Sequence, residues 1–210
     1  GIRPMFYGYA PDGKIMFASE MKALNELCNE VLAFPPGHVY DGEKFVCYRD
    51  IAQVDEYTED ETEEVFQRLN ELLTKGTLKR LHADVPVGFL CSGGLDSSLV
   101  CAIAARAMDK PIRTFAVGID IDAIDTKYAR IVADYLGADH TEVLFTKQDI
   151  FDTLSTLIYN IETYDITTIR ASMGMYLVSK YISENTDIKV LMTGEISDEI
   201  FGYKYTDFAP

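Results

Sequence analysis

From Val85 onward, apolar runs and helical runs take turns, and that alternation leaves few architectures open. The runs "VPVGFL", "IRTFAVGI", "TEVLF" and "IKVLMT" are short and apolar throughout. Between them lie "SSLVCAIAARAM", "DTKYARIVADYLG", "QDIFDTLSTLIYNIE" and "ASMGMYLVSKYISEN", which read as helices. Strands that are apolar on both faces need cover on both faces. The expected fold class is therefore α/β, a parallel sheet with helices on either side. Such sheets bind ligands beyond the carboxyl ends of their strands. Two polar turns, "SGGLDSS" and "TGEISDE", fall at such ends.

The first 50 residues have a different character. "PMFYGYA", a Pro11-Asp12-Gly13 turn and "KIMFAS" read as short antiparallel strands. "SEMKALNEL" fits a short helix capped by Ser19, and "FPPGHVY" and "DGEKFVCYRD" add a turn and an edge strand. These are too few strands to close a sheet. Residues 51–61 are acidic and aperiodic, which suggests a linker, and Thr58 with Glu61 has the spacing of a capping box. An amphipathic helix follows through "VFQRLNELLTKGTLKRL", basic at its end as the helix dipole favours. The expected organisation is thus 1–50, a linker at 51–61, and a second domain from 62 to 210. The opening "GIRPMFYGY" and the closing "YTDFAP" both read as interior sequence, so a piece of a longer chain is expected.

Charge narrows the function. A net charge of −15 argues against a general nucleic-acid binder, and no apolar run has the length of a membrane span. Cys28, Cys47, Cys91 and Cys101 form no CxxC pair, which reads as free thiols in a reducing, cytoplasmic compartment. His38, His82 and His140 lack metal-ligand spacing.

The first turn has the chemistry of an anion cradle. Gly93 and Gly94 let the backbone approach a ligand closely. The helix behind them offers unpaired N–H groups at its start, and Ser92, Ser97 and Ser98 add hydroxyls. Asp96 repels phosphate unless a cation such as magnesium lies between them. The turn lacks the GxxxxGK[ST] of a P-loop and the GxGxxG of a dinucleotide site. It is also no nucleophile elbow, because Gly88 stands too far from Ser92. A serine-rich cap serving folding alone stays open as a reading. In the second turn, a helix starting near Glu195 would put Glu195, Asp198 and Glu199 on one face. Solvated helix-cap carboxylates are the alternative there.

"SGGLDSS" resembles the pyrophosphate loop of the ATP pyrophosphatases, enzymes with an adenine nucleotide alpha hydrolase-like fold. "RLHADVPVGFLCSGGLDSSLV", "TFAVGID", "ADYLGADHTEVLFT", "IETYDITTIRAS" and "LMTGEISDEIFG" together resemble glutamine-dependent asparagine synthetases. "GIRPMFYGY", "FASEMKAL" and "FPPGH" are similar to the end of that family's N-terminal-nucleophile class II glutamine amidotransferase domain. The resemblance covers essentially the whole chain.

It implies an ATP-dependent amide ligase that converts aspartate to β-aspartyl-AMP and pyrophosphate, then to asparagine with ammonia from glutamine. Ser92, Gly93, Gly94, Asp96, Ser97 and Ser98 would hold pyrophosphate and Mg2+. Leu90 and Val117 would flank adenine, and Thr193 and Gly194 would contact the nucleotide. Glu195 would act as base, with Asp198 beside the metal or the substrate amine. The partners implied are ATP, Mg2+, aspartate, and glutamine or ammonia, with no nucleic acid and no membrane. A homodimer is the candidate assembly of the full-length protein.

Four departures from the family pattern stand out. Ile196 replaces a usual glycine, Thr193 a usual serine and Cys91 a usual aliphatic residue, and Gly202-Tyr203 is one glycine short. No cysteine occupies the glutaminase nucleophile's place, so this piece alone is expected to be inactive. A β-lactam synthetase relative and a degenerate nucleotide-binding module remain the alternatives.

Overall fold

A computed structural model describes residues 3–50, 53, 56–119 and 124–202. The chain divides into two units, Gly1–Asp60 with Asn160–Glu162, and Glu61–Tyr159 with Thr163–Pro210.

In the first unit, β1 (Phe6–Tyr9), β2 (Ile15–Ala18) and β3 (Val31–Ala33) form an antiparallel sheet in the order β2-β1-β3. The Pro11-Asp12-Gly13 turn joins β1 to β2, with Gly13 at φ 82° and Asp12 accepting from the Lys14 N–H. The expected helix at "SEMKALNEL" is one 3-10 turn, Met21–Ala23, preceded by Glu20 and not capped by Ser19. β4 (His38–Tyr40) and β5 (Phe45–Cys47) make a separate hairpin. Tyr7, Phe34 and Phe45 share ring contacts, at 4.6 Å for Tyr7–Phe45 and 5.2 Å for Phe34–Phe45. Among the described residues of 1–50, only Gly8 and Leu24 are buried. The core here is thin, as two to three short strands dictate.

The second unit opens with α1 (Thr62–Arg80). Its N-cap position is Glu61, and the expected Thr58 cap does not form. The Thr58 hydroxyl instead accepts from the Asp60 N–H at 3.1 Å, a local turn that competes with capping. Beyond it come β6 (Val87–Leu90), α2 (Leu95–Ala107), β7 (Arg113–Ile119), α3 (Ile124–Leu136), β8 (Asp139–Phe145), α4 (Lys147–Ile161), α5 (Ile166–Asn185), β9 (Val190–Met192) and α6 (Ser197–Phe201). The Asp165 carboxylate accepts from the Thr168 N–H at 2.7 Å. That cap starts α5 well before the alanine-serine run from which the helix was expected.

The sheet is wholly parallel, in the order β8-β7-β6-β9. Strand side chains alternate between its faces, and the alternation sorts the core in two. Phe89, Cys91 and Met192 meet Cys101 and Ala104 of α2, with Val132 and Leu136 of α3 beside them. Leu90, Leu191 and Phe115 point the other way, toward Val178 and Ile182 of α5. Helices therefore cover both faces, as strands apolar throughout require. No helix among the described residues is long and apolar enough to cross a membrane.

Candidate active site

The chain steps outward from β6 to β7 to β8, then returns to place β9 on the other side of β6. That reversal is the switch point at which open α/β sheets bind ligands. A cleft of about 280 Å³ lies there. It is lined by Leu90, Cys91 and Ser92 from the end of β6, and by Gly94, Asp96 and Ser97 from the first turn. Val117 of β7 and Thr193, Gly194, Glu195 and Asp198 after β9 line it too. Phe115, Ala116, Met175, Val178, Ile196 and Ser197 complete the wall.

The first turn is organised by its own hydroxyls. The Ser92 and Ser97 hydroxyls lie 3.0 Å apart. The Gly94 N–H donates to Ser92 Oγ at 3.3 Å, and the Ser92 N–H donates to Ser97 Oγ at 3.2 Å. A hydroxyl rotates freely about its C–O bond, so these groups can turn from one another to an incoming oxyanion without backbone movement. Gly93 is not part of the lining. It sits at φ 80°, and a β-carbon there would come within 2.5 Å of the Ala129 nitrogen in α3. Its role in this structure is close backbone approach to α3. Ser98 is also absent from the lining, and its Oγ is buried without a hydrogen-bond partner.

The second turn follows β9. The Glu195 N–H donates to Thr193 Oγ1 at 3.4 Å, and the Ser197 hydroxyl donates to the Gly194 carbonyl at 3.1 Å. The helix expected to start near Glu195 starts at Ser197 instead, with Ile196 in the N-cap position. Ile196 has φ 79° and ψ −10°, a left-handed backbone that ends the helical register before Glu195. Glu195 and Asp198 consequently share the cleft without sharing a helix face. Gly202 follows α6 at φ 95°, whereas the Glu199 side chain and Tyr203 lie outside the described residues.

Cys91 is the cleft residue with a shifted thiol. The Cys101 thiol donates to it, the Gly93 N–H does so more weakly, and together they hold its pKa at about 7 against burial. Cys101 is pushed up, first by that hydrogen bond and then by burial. Reading turns alone missed Phe115, Met175 and Val178. Two signals were available in the sequence: Phe115 shares a strand face with Val117, and Met175 and Val178 share a helix face.

The donor set suits a hard cation. Asp96 and Asp198 supply carboxylate oxygens, and among the described residues no group of three or more His, Cys, Asp or Glu could hold a metal. Magnesium is commonly bound by one or two carboxylates together with substrate phosphates and water, with no all-protein cage. The residues present fit that pattern.

Comparison with known proteins gives one family match and several similar chains. Residues 68–210 match the family described as asparagine synthase. The chain is 43% identical to asparagine synthetase [glutamine-hydrolyzing] 2 of Arabidopsis thaliana over its whole length, which spans 38% of that protein. It is 42% identical to an asparagine synthetase [glutamine-hydrolyzing] of Zea mays, again over its whole length and 37% of that protein. The chain thus spans well under half the length of these relatives. Among solved structures, an NH3-dependent NAD synthetase from Campylobacter jejuni aligns with a TM-score of 0.45 at 20% identity, covering 66% of this chain and 60% of that one. A glutamine-dependent NAD+ synthetase from Acinetobacter baumannii in complex with ADP aligns with a TM-score of 0.45 at 18% identity, covering 91% and 32%.

Proposed function

The chain belongs to the asparagine synthase family, and from that premise we propose that the full-length protein makes asparagine from aspartate, ATP and glutamine-derived ammonia. The aspartate β-carboxylate attacks the α-phosphorus of ATP, pyrophosphate leaves, and ammonia then displaces AMP from β-aspartyl-AMP. One observation carries this reading: the serine-glycine turn and the acidic turn line one cleft at the switch point of the sheet.

In this reading Ser92, Gly94 and Ser97 bind the leaving pyrophosphate through hydroxyls and N–H groups already oriented by their mutual hydrogen bonds. Preorganised donors of this kind stabilise charge as it develops, without reorganisation at the moment of reaction. Leu90 and Val117 give the adenine an apolar seat, and Thr193 and Gly194 hold the nucleotide from the β9 side. Gly93 and Ser98 act by fixing the turn. Asp96 and Asp198 would hold Mg2+, whose charge offsets that of the phosphates. Glu195 takes the proton from ammonia as it attacks. Residues 1–50 form the end of a glutamine amidotransferase domain, residues 51–61 a linker, and residues 62–210 part of the synthetase domain. The cell compartment in this reading is the cytosol, and the full-length assembly a homodimer.

The test is aspartate-dependent exchange of labelled pyrophosphate into ATP by the full-length protein. Exchange that requires aspartate supports the adenylation step. ATP binding with no exchange for any carboxylic acid overturns it in favour of a nucleotide-binding module.

A further inference from the structure

Among the described residues, two non-glycine residues have a left-handed backbone: Ile196 in the cleft, and Glu162 at φ 56°. Glu162 stands in the turn between α4, which ends at Ile161, and α5, which starts at Ile166. A glutamate rarely adopts this conformation, because its β-carbon crowds the following carbonyl oxygen. Such strain persists where other contacts over-determine it.

Those contacts are made by its side chain. The Glu162 carboxylate, 12% exposed, accepts from the Met21 N–H at 2.7 Å and from the Lys22 N–H at 2.6 Å. These N–H groups open the 3-10 turn Met21–Ala23, whose own N-cap residue, Glu20, makes no side-chain cap. The start of a helical turn leaves such donors without internal partners, and a carboxylate suits them in charge as well as geometry. The Lys22 ammonium lies 3.4 Å from the same carboxylate. Burial pushes the Glu162 pKa up, but the Lys22 and Met21 N–H groups and the Lys22 ammonium outweigh it and hold the carboxyl below its ordinary value.

The place of this residue in the chain gives the contacts a consequence. Asn160–Glu162 belong to the first unit, whereas the chain up to Tyr159 and from Thr163 onward belongs to the second. Just beyond lies Asp165, the cap of α5, and α5 supplies Met175 and Val178 to the cleft wall. Neither "FASEMKAL" nor "IETYDITTIRAS" contributes a residue to that lining. What joins the two segments is the Glu162 carboxylate.

We propose that Glu162 is a positioning residue through which the first unit acts on the cleft. While Met21 and Lys22 hold its carboxylate, its backbone stays left-handed, and movement of the Met21–Ala23 turn passes along the chain to the start of α5. This rests on the synthetase function proposed above. It gives Glu162 the task of matching ammonia supply by the amidotransferase domain to ammonia use in the cleft. α5 keeps its own cap, the Asp165 carboxylate on the Thr168 N–H, so the cleft survives without the tie and only its response is lost.

The experiment measures glutamine hydrolysed per asparagine made by the full-length protein, beside ammonia-dependent synthesis and aspartate-dependent pyrophosphate exchange. Glu162→Gly removes the carboxylate and suits the left-handed backbone, so it should fold. It should raise the glutamine consumed per asparagine by about fivefold or more, the lower end of coupling between distinct sites. Ammonia-dependent synthesis and exchange should hold at the wild-type level. Glu162→Gln keeps the length and one acceptor oxygen, and its ratio should lie nearer the wild type. A wild-type ratio in Glu162→Gly overturns the proposal. Loss of ammonia-dependent synthesis in step with melting temperature would make Glu162 merely structural, and overturns it as well. A wild type with no aspartate-dependent exchange overturns the adenylating function itself, and this coupling with it.

Discussion

Gly194 stands against Ser97: a β-carbon on Gly194 would lie 2.5 Å from the Ser97 nitrogen and 2.7 Å from the Asp96 carbonyl carbon. The two turns therefore meet backbone to backbone, with no side chain between them. Gly194→Ala must force them apart, at about 1–3 kcal/mol of stability for overpacking. The urea midpoint should fall accordingly, and ATP should bind more weakly than that loss alone explains.

Gly93 carries two demands at once. Its φ of 80° disfavours any β-carbon, and α3 leaves no room for one. Gly137 makes only the first demand, since its φ is 64° and a β-carbon there would meet nothing within 4 Å. Gly137→Ala should cost about 1–2 kcal/mol, and Gly93→Ala about 1–3 kcal/mol more. Paired denaturation curves measure the difference, and equal losses would contradict the close approach to α3.

Asp96→Asn and Asp198→Asn each remove one charge from the proposed cation site. Each should lower pyrophosphate exchange by about 10²–10³-fold and raise the magnesium concentration needed for half-maximal rate. The melting temperature without nucleotide should change little, because both residues line an open cleft. An unchanged magnesium dependence would remove that carboxylate from the metal site.

His140 makes stability sensitive to acid. It pairs with Thr114 across β7 and β8, where Nδ1 and the Thr114 hydroxyl share a 2.8 Å hydrogen bond. Burial lowers its pKa below the ordinary 6.5, the Arg130 charge adds to this, and Glu142 and Asp134 oppose it. Below pH 6.5 the unfolded chain therefore binds a proton that the folded chain resists, and stability falls with pH until the folded pKa is passed. The wild-type urea midpoint should drop more between pH 7 and pH 5 than that of His140→Asn. Parallel pH profiles would exclude His140 as the source.

Cysteine alkylation should follow burial more than thiol acidity. Cys47 is exposed and Cys28 intermediate, whereas Cys91 and Cys101 are buried. Iodoacetamide should label Cys47 first by peptide mass spectrometry. Cys91 and Cys101 should resist until urea opens the unit, despite the pKa of about 7 at Cys91. Early labelling of Cys91 would mean that the cleft admits reagents to the base of the turn.

The parallel sheet was legible because its strands are apolar on both faces, a pattern that needs no long-range information. Helix starts were less so. Thr58 and Ser19 have the composition of caps, but a hydroxyl can bond any nearby N–H, and that of Thr58 is taken up by Asp60. Asp165 and Thr168 carried the opposite lesson, a true cap inside a stretch that reads as loop. In the site, the position of both polar turns at strand ends could be read locally. Their contact at Gly194 and Ser97 could not, because it depends on β9 returning to the side of β6. The left-handed backbone at Ile196 was hidden for another reason: isoleucine is the residue least expected to adopt it.

The two neighbours of β6 also differ in when they can arrive. Phe89 pairs with Thr114 of β7, but Val87 pairs with Val190 of β9, across a far longer stretch of chain. Closing the longer loop has the greater entropic cost, and contacts so distant in sequence form slowly. As the chain leaves the ribosome, the serine-glycine turn emerges well before its acidic counterpart exists. A nucleotide that needs both turns cannot act as a template for early folding. It can only reward β9 for docking beside β6, which makes nucleotide binding in the proposed site a report that the two turns have met.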